Sequence, residues 1–383
     1  MMSSAGESRT SLVARLVLFV LMLYVFLGAI KLLGMASKMA GAGAAESLFS
    51  GLENPFAGLA VGILATALVQ SSSVTTATTV GLVATGELSV AHAVPIVMGA
   101  NIGTSITCIL VSLGHITQGQ AFRRAFAGAT VHDIFNLLTV AILFPAEIIS
   151  RQIFGVGFLK KSATWLVASL PLNGAGGEFH SPINEAVKWL AKAIMSFFHD
   201  LIGIPKGPWL AGVLAAVALV MIVVALLVIT KNMKVLMADR IEQWLNRVLK
   251  RRGALGLVIG AVVTAVVQSS SITTSLLIPM FGAGVLTLEA GFPIMLGANI
   301  GTTITALLAA TVAGPAGLTI AVVHLLFNMA GTLLFFPLKV TRRIPIILAE
   351  KLADLAVRNR LWVLLYLLVV FIAIPGLGIL IWK

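Results

Sequence analysis

Charged residues are scarce in this chain. Asp, Glu, Lys and Arg make up 10% of its 383 residues, 59% of the residues are hydrophobic, and the mean hydropathy is +1.05. Soluble proteins carry about 25% charged residues and roughly 45–50% apolar ones, so this composition excludes an ordinary soluble domain. Three apolar runs, 12–33, 210–230 and 361–382, reach the roughly 20 residues that a membrane-spanning helix needs. The sequence therefore predicts an integral protein of a lipid bilayer.

Cysteine is nearly absent as well. Cys108 is the single cysteine, which excludes an intramolecular disulfide, and no Asn-x-Ser/Thr sequence occurs in the chain. Both absences argue against a secreted or glycosylated ectodomain. The first apolar run is too long for a signal peptide, and no small-residue cleavage site follows it, so we interpret it as a retained first helix.

Negative charge is in the minority, and the formal net charge is +12. In a membrane protein, Lys and Arg collect in cytoplasmic loops, so this surplus does not indicate a nucleic-acid partner. Basic residues concentrate at 231–252 and 339–360, and we expect both stretches to be cytoplasmic loops. Arg9 and Arg15 place the N-terminus in the cytoplasm too.

An internal repeat organises the rest of the chain. The motif QSSS occurs at 70–73 and 268–271, and GANIGT occurs at 99–104 and 297–302, both with an offset of 198 residues. HDIFN at 132–136 matches HLLFN at 324–328 with an offset of 192. Two copies of spaced motifs indicate duplicated halves. We predict an N-terminal half at 1–149, a connecting segment at 150–208 and a C-terminal half at 209–383.

The QSSS motifs follow apolar stretches that are too short to span a bilayer comfortably, 59–69 and 255–267. Polar groups in hydrocarbon are costly unless they are satisfied. We therefore expect re-entrant or broken helices that line a cavity. The predicted fold is an all-α polytopic membrane protein with two inverted-topology repeats, an arrangement found in many secondary transporters.

The chemistry of these motifs suits a pair of ions. A helix that restarts at serines offers free backbone N–H groups and hydroxyls to an anion. Gln, Asn and Thr oxygens are hard neutral ligands that suit an alkali cation. We expect Gly99, Gly103, Gly297 and Gly301 to let the backbone unwind around the asparagines of GANIGT. The predicted anion ligands are Ser71, Ser72, Ser73, Ser269, Ser270, Ser271, Asn101 and Asn299.

Asp133 is a carboxylate in a predicted helix interior, where an ionisable group is a functional candidate. Its counterpart in the second half is Leu325, so it breaks the internal symmetry and can add one cation. The alternative is a salt bridge with Arg123 or Arg124. The histidine before it, like its second-half counterpart His324, is expected to be a satisfied core residue, with proton transfer as the alternative.

At these residues the sequence resembles the type II sodium–phosphate cotransporter family. The resemblance rests on the two QSSS motifs, the two GANIGT motifs and the run FRRAFAGATVHD at 122–133, and it covers roughly 55–145 and 253–380. It implies an alternating-access carrier for inorganic phosphate that inward sodium drives. The QSSS serines are then phosphate ligands, and an aspartate at position 133 implies net charge movement. The sodium ligands that we predict are Gln70, Gln268, Thr302, Thr305, Asp133 and Asn136.

Two departures from the family pattern matter. The connecting segment is short and has no cysteine, which resembles a bacterial member and predicts an inner-membrane location. Gln118 replaces an acidic residue that is frequent in the family, so one sodium ligand differs. Sodium is expected as a co-substrate, with no cofactor, no enzymatic activity and a possible homo-oligomer.

Three other functions fit parts of the sequence. The same pocket chemistry suits a carrier for arsenate or sulfate, or a proton-coupled phosphate carrier. An intramembrane hydrolase would use a serine nucleophile with His132 or His324 as base, although the duplicated triplets show no ordered Ser–His–Asp arrangement. A channel is the third alternative, and paired anion-binding helix ends favour an occluded site instead.

Overall fold

The computed structural model describes residues 9–40, 54–170, 182–249 and 253–382, and this part of the chain is built from α-helices. Seven helical segments within it are long and apolar enough to cross a bilayer. They are Leu12–Ala40, Val90–His115, Gly119–Phe154, Pro208–Met233, Leu288–Ala310, Gly314–Phe335 and Leu361–Ile381. The prediction of an all-α polytopic membrane protein is confirmed.

The residues that the structure describes before position 208 form eight α-helices. They are α1 (Arg9–Ala40), α2 (Pro55–Val69), α3 (Ser72–Thr85), α4 (Val90–Gly103), α5 (Ile106–Ser112), α6 (Gly119–Phe154), α7 (Phe158–Ser169) and α8 (Pro182–Ser196).

Nine α-helices follow in the described part of 208–382, and a π-helical turn, Val369–Ala373, separates the last two. They are α9 (Pro208–Leu249), α10 (Ala254–Val267), α11 (Ser270–Ser275), α12 (Leu277–Gly282), α13 (Leu288–Ala310), α14 (Gly314–Phe335), α15 (Lys339–Arg358), α16 (Leu361–Leu368) and α17 (Ile374–Trp382).

Each half contains a helical hairpin. The first hairpin, residues 55–85, consists of α2 and α3 joined at Gln70. The second hairpin, residues 254–282, consists of α10, α11 and α12 and turns at Gln268. A threonine pair joins the arms of each hairpin, and the two pairs are equivalent by the repeat. Their Oγ1 atoms lie 2.9 Å apart in Thr66–Thr75 and 2.8 Å apart in Thr264–Thr273.

The glycines of GANIGT pack helices together and do not unwind them. GANIGT of the first half ends α4, and that of the second half lies inside α13. A Cβ at Gly99 would collide with the Leu59 carbonyl of α2, and a Cβ at Gly297 would collide with the Leu257 carbonyl of α10. The prediction that these glycines unwind the backbone is wrong, because they occupy small-residue contacts that let two helices approach closely.

The bases of the two hairpins lie at opposite ends of α6. Phe56, at the start of the first hairpin, packs edge-on against Phe144, with ring centroids 5.1 Å apart. Gly282, at the end of the second hairpin, accepts hydrogen bonds from the Arg124 guanidinium through its carbonyl, at 2.7 and 3.1 Å. At 1.5 Å per residue, positions 124 and 144 are about 30 Å apart along the helix, the thickness of the hydrocarbon core.

Helices α1 and α9 form an antiparallel pair beside this core. The Asn232 side-chain amide donates to the Arg15 carbonyl at 2.7 Å near one end. Leu33 and Leu210 belong to one buried cluster at the other end, together with Ala191 of α8. The connecting segment is partly helical, because it contains α7 and α8. Helix α6 also extends past the predicted boundary at 149 to Phe154. The glycine-rich part of that segment, 174–177, lies outside the described residues.

The two basic stretches are helical where they are described. Residues 231–249 continue α9, and 339–358 form α15. Their prediction as loops is wrong. In α15 apolar residues recur at helical spacing among the charges, and the buried ones are Pro345, Ile346, Ala349, Ala353 and Ala356, so one face packs against the protein. Arg123 of α6 forms an ion pair with Asp354 of that helix at 2.5 Å, which lowers the pKa of the Asp354 carboxyl.

Candidate functional site

Both hairpins break at a glutamine in a left-handed conformation. Gln70 has φ 56° and Gln268 has φ 61°, and these are the non-glycine residues with positive φ in the described chain. This conformation is uncommon for a residue with a Cβ. The next serine then caps the following helix in each copy: Ser71 Oγ accepts from the Val74 amide and Ser269 Oγ from the Ile272 amide, both at 3.3 Å. The repeated sequence QSS thus adopts the same backbone conformation in both halves.

The tips of the two hairpins meet. The Ser73 hydroxyl, in the first turn of α3, donates to the Gln268 carbonyl at 3.4 Å. Thr305 of α13 donates to the Gln268 side-chain Oε1 at 2.8 Å and lies 3.5 Å from Ser73 Oγ. All three side chains are buried. The result is a small cluster of neutral oxygens to which both halves contribute.

A second group of amides links α4, α6 and α13. Asn299 donates to Asn136 Oδ1 at 2.8 Å, and Asn136 donates to the Asn101 carbonyl at 2.8 Å. His132 Nε2 lies 2.6 Å from Asn299 Oδ1. Thr302 lies one turn along α13 from Asn299 and is also buried. This chain of hydrogen bonds holds the two GANIGT asparagines against the HDIFN motif of α6.

Asp133 is fully buried, and Tyr366 of α16 donates its hydroxyl to Oδ2. Asp133 Oδ1 and the Ser105 hydroxyl meet no partner at hydrogen-bond distance among the described residues, although Ser105 is near enough to the carboxylate to interact with it. Arg123 and Arg124 bond to Asp354 and Gly282 instead. The alternative of a salt bridge between Asp133 and either arginine is therefore wrong.

The two glutamines differ in exposure. Gln268 is 6% exposed, whereas Gln70 is exposed and makes no hydrogen bond to another predicted site residue within the described chain. The structure thus places most of the predicted residues at the hairpin tips or in the amide group, whereas Gln70 lies at the first tip with an exposed side chain and Asp133 lies against Tyr366 of α16. Those that lie at the hairpin tips or in the amide group are Ser71, Ser72, Ser73, Ser269, Ser270, Ser271, Asn101, Asn299, Gln268, Thr302, Thr305 and Asn136.

Three polar residues at the site carry no strong sequence signal. Ser105 directly follows GANIGT, and its position beside Asp133 depends on how α5 meets α6. Cys108 Sγ lies 3.0 Å from Thr274 Oγ1 of α11 and joins the two halves. Tyr366 lies in an apolar run of the last helix pair. A tyrosine within a membrane span was a usable signal, because its hydroxyl needs a partner there.

The fold and the site define a class: a polytopic helical membrane protein whose buried polar centre lies where two duplicated broken helices meet. A profile of the Na+/Pi-cotransporter family matches residues 25–163 and 221–350, which is more than half of the chain. The chain belongs to the Na+/Pi-cotransporter family. This is a family of transporters and not a class of enzymes.

Curated relatives agree with this assignment. Sodium-dependent phosphate transport protein 2A of Rattus norvegicus is 35% identical over 93% of this chain and 66% of its own length. Sodium-dependent phosphate transport protein 2B of Homo sapiens is 31% identical over 97% of this chain and 66% of its own length. The chain thus spans 66% of the length of these relatives. No solved structure matches the chain.

Proposed function

We propose that this protein couples inward sodium movement to the uptake of inorganic phosphate. The observation that carries the proposal is the meeting of the two QSSS hairpin tips in a buried cluster of neutral oxygens. Membership of the Na+/Pi-cotransporter family supports it, as do the names of the relatives. Sodium acts as a co-substrate in this proposal.

The serines provide the phosphate ligands. Helix α3 begins at Ser72, and the first amides of a helix have no intrahelical acceptor. One of these amides, that of Val74, is capped by Ser71, which leaves the earlier ones for an anion at the positive end of the helix dipole. The second hairpin adds Ser269, Ser270 and Ser271 from the opposite direction.

Neutral side-chain oxygens provide the sodium ligands. Gln268 Oε1 and Thr305 Oγ1 form one pair of adjacent oxygens. Asn136 of α6 and Thr302 of α13 are the other neutral ligands in this proposal. Hard oxygen ligands without a thiolate or an imidazole cluster favour an alkali cation over a transition metal. Each of these groups is buried, so the cation replaces its hydration shell with protein oxygens.

We also propose alternating access by two halves that enter the membrane from opposite faces. The hairpin bases at opposite ends of α6 support an inverted repeat. The basic residues of α9 and α15 support a cytoplasmic location for the second base and for the N-terminus. The unequal exposure of Gln70 and Gln268 supports a state in which one half-site is accessible and the other is closed. A bacterial inner membrane is the proposed location.

The transport assay uses purified protein in liposomes and labelled phosphate. Uptake is expected with an inward sodium gradient and not with matched potassium or proton gradients. A matched pair of variants separates the site from general damage. Ser73→Ala lowers uptake about tenfold, the size expected when a hydrogen bond to a charged ligand is lost. Ser169→Ala, which removes an exposed hydroxyl in α7, does not lower uptake. Uptake driven by a proton gradient alone would show that another ion than sodium is coupled to transport. Saturable uptake of sulfate or arsenate would show that the substrate is another anion.

Charge movement is the second testable part of the proposal. Asp133 is the carboxylate at the site, and its counterpart in the second half is Leu325, so a cation held there adds net charge. Asp133→Gly is expected to keep phosphate uptake but to remove its dependence on membrane potential. The measurement is uptake at imposed potentials of either sign. Voltage dependence equal to that of the parent protein would remove Asp133 from the charge-moving step.

A further inference from the structure

The last membrane-spanning segment faces outward apart from a few side chains. Leu361, Leu364 and Leu368 are 65%, 62% and 53% exposed, as expected for lipid-facing positions. Tyr366 points the other way, and its hydroxyl reaches the Asp133 carboxylate of α6. The only other tyrosine, Tyr24, donates to the Ala186 carbonyl far from this site.

The backbone next to Tyr366 departs from a regular α-helix, as it also does at a second π-helical turn of the described chain, Phe197–Leu201. A π-helical turn, Val369–Ala373, begins three residues later and joins α16 to α17. Such single turns are rare, and they are frequent at functional sites because they rotate the side chains on either side relative to a continuous helix. Here α16 presents its tyrosine to α6, and beyond the turn Gly378 of α17 packs against Ala60 of α2.

The two oxygens of the Asp133 carboxylate thus have different surroundings. Its Oδ2 accepts from Tyr366, whereas Oδ1 has no hydrogen-bond partner in the described chain, and the nearby Ser105 hydroxyl has none there either. A buried carboxylate oxygen and a buried hydroxyl that both lack a hydrogen-bond partner are unusual in a membrane interior, because an unsatisfied polar group there costs free energy. A small cation between them satisfies both, because sodium is bound by carboxylate and hydroxyl oxygens.

We propose that Tyr366 is a positioning residue for a sodium ion held by Asp133 Oδ1 and Ser105 Oγ. By occupying Oδ2, the tyrosine fixes the plane of the carboxylate and offers a single oxygen toward Ser105. The counterpart of Asp133 in the second half is Leu325, so this cation site has no equivalent there. The inference rests on the proposed function, since it requires that Asp133 binds sodium.

The test measures sodium activation of phosphate uptake in Tyr366→Phe, with Tyr24→Phe as the matched control. The ring is kept in both variants, and one hydroxyl is lost. In Tyr366→Phe the sodium concentration for half-maximal uptake rises about tenfold, the size expected when a hydrogen bond to a charged group is lost. Uptake at saturating sodium is retained, and the Tyr24→Phe variant behaves as the parent protein does. Ser105→Ala shifts sodium activation in the same direction.

A double-mutant cycle separates positioning from a merely structural contact. In the Asp133→Gly background, Tyr366→Phe has no further effect on sodium activation, because the group that it positions is gone. A tyrosine that only anchors α16 through this hydrogen bond makes Tyr366→Phe lower the thermal stability of the parent protein while leaving its sodium activation unchanged, which would overturn the inference. If Asp133→Gly itself leaves sodium and voltage dependence unchanged, the proposed role of Asp133 fails instead, and with it the site.

Discussion

Gln70 and Gln268 show how one residue type can have two roles in a duplicated protein. Both adopt the left-handed backbone that ends one helix and starts the next. The conformation costs roughly 1–2 kcal/mol for a residue with a Cβ, so glycine would be the favoured residue if only the turn mattered. Gln268 is buried and accepts a hydrogen bond from Thr305, so its side chain makes a contact that glycine could not make.

A glycine at either break tests this difference. Gln268→Gly relieves the backbone and removes the amide, and we expect sodium activation to weaken about tenfold. Gln70→Gly relieves the backbone in the same way but removes an exposed side chain, so its effect on sodium activation is smaller. The measurement is phosphate uptake against sodium concentration. Equal shifts in the two variants would contradict the asymmetry.

At the scale of elements, close glycine contacts hold each hairpin to the helix that follows it. Gly62 of α2 meets the Ile96 carbonyl of α4, and the equivalent Gly260 of α10 meets the Ile294 carbonyl of α13. Without water competing for these groups, association inside the bilayer depends on how closely backbones approach. The two helix pairs are thus rigid units that carry the hairpin tips.

A methyl group at these contacts is expected to separate the helices. In Gly99→Ala or Gly297→Ala, the new Cβ meets a backbone carbonyl that cannot move aside, and overpacking of this kind typically costs about 1–3 kcal/mol. Gly212→Ala is the matched control, since a Cβ there meets nothing within 4 Å and alanine favours a helix. Thermal unfolding in detergent measures the effect. A loss in Gly212→Ala as large as in the other two would argue against the contact.

At the scale of the whole molecule, the two hairpins differ in how they meet their surroundings. Val69, next to the first tip, is 39% exposed, whereas its counterpart Val267 is fully buried. Sequences this similar would have equal surroundings in a symmetric assembly. An asymmetric state of a pseudosymmetric protein is what alternating access requires, because the two half-sites must open in turn.

Cysteine labelling tests this difference in exposure. Because Cys108 is the single cysteine, Cys108→Ala is a complete cysteine-free background. In that background, V69C is expected to react with a membrane-impermeant thiol reagent at least about tenfold faster than V267C, without sodium and phosphate. Saturating sodium and phosphate should reduce the ratio, as ligands favour the closed state. Equal rates under both conditions would contradict a one-sided opening.

Much of this protein follows from its sequence because the decisive costs are local. The scarcity of charge and the length of the apolar runs are local properties of the sequence, and they identify a membrane protein. Polar QSSS motifs after short apolar stretches predict the helix breaks, since the serines cannot continue a lipid-facing helix unpaired. Identical spacing of QSSS and GANIGT predicts duplicated halves, and the QSSS residues of both halves lie at the hairpin tips.

Other features depend on which faces meet across the chain, and no local pattern encodes them. The sequence GANIGT is compatible with either a flexible backbone or a packing surface. The structure shows packing, because the carbonyls of Leu59 and Leu257 lie directly against its glycines. The charges at 339–358 suggest a loop until one face of α15 is packed against α6. Asp133 meets Tyr366, 233 residues away, because the last helix pair lies against α6. Contacts of this kind arise from the tertiary packing of whole helices, whose partners are selected by shape and by the need to satisfy every buried polar group.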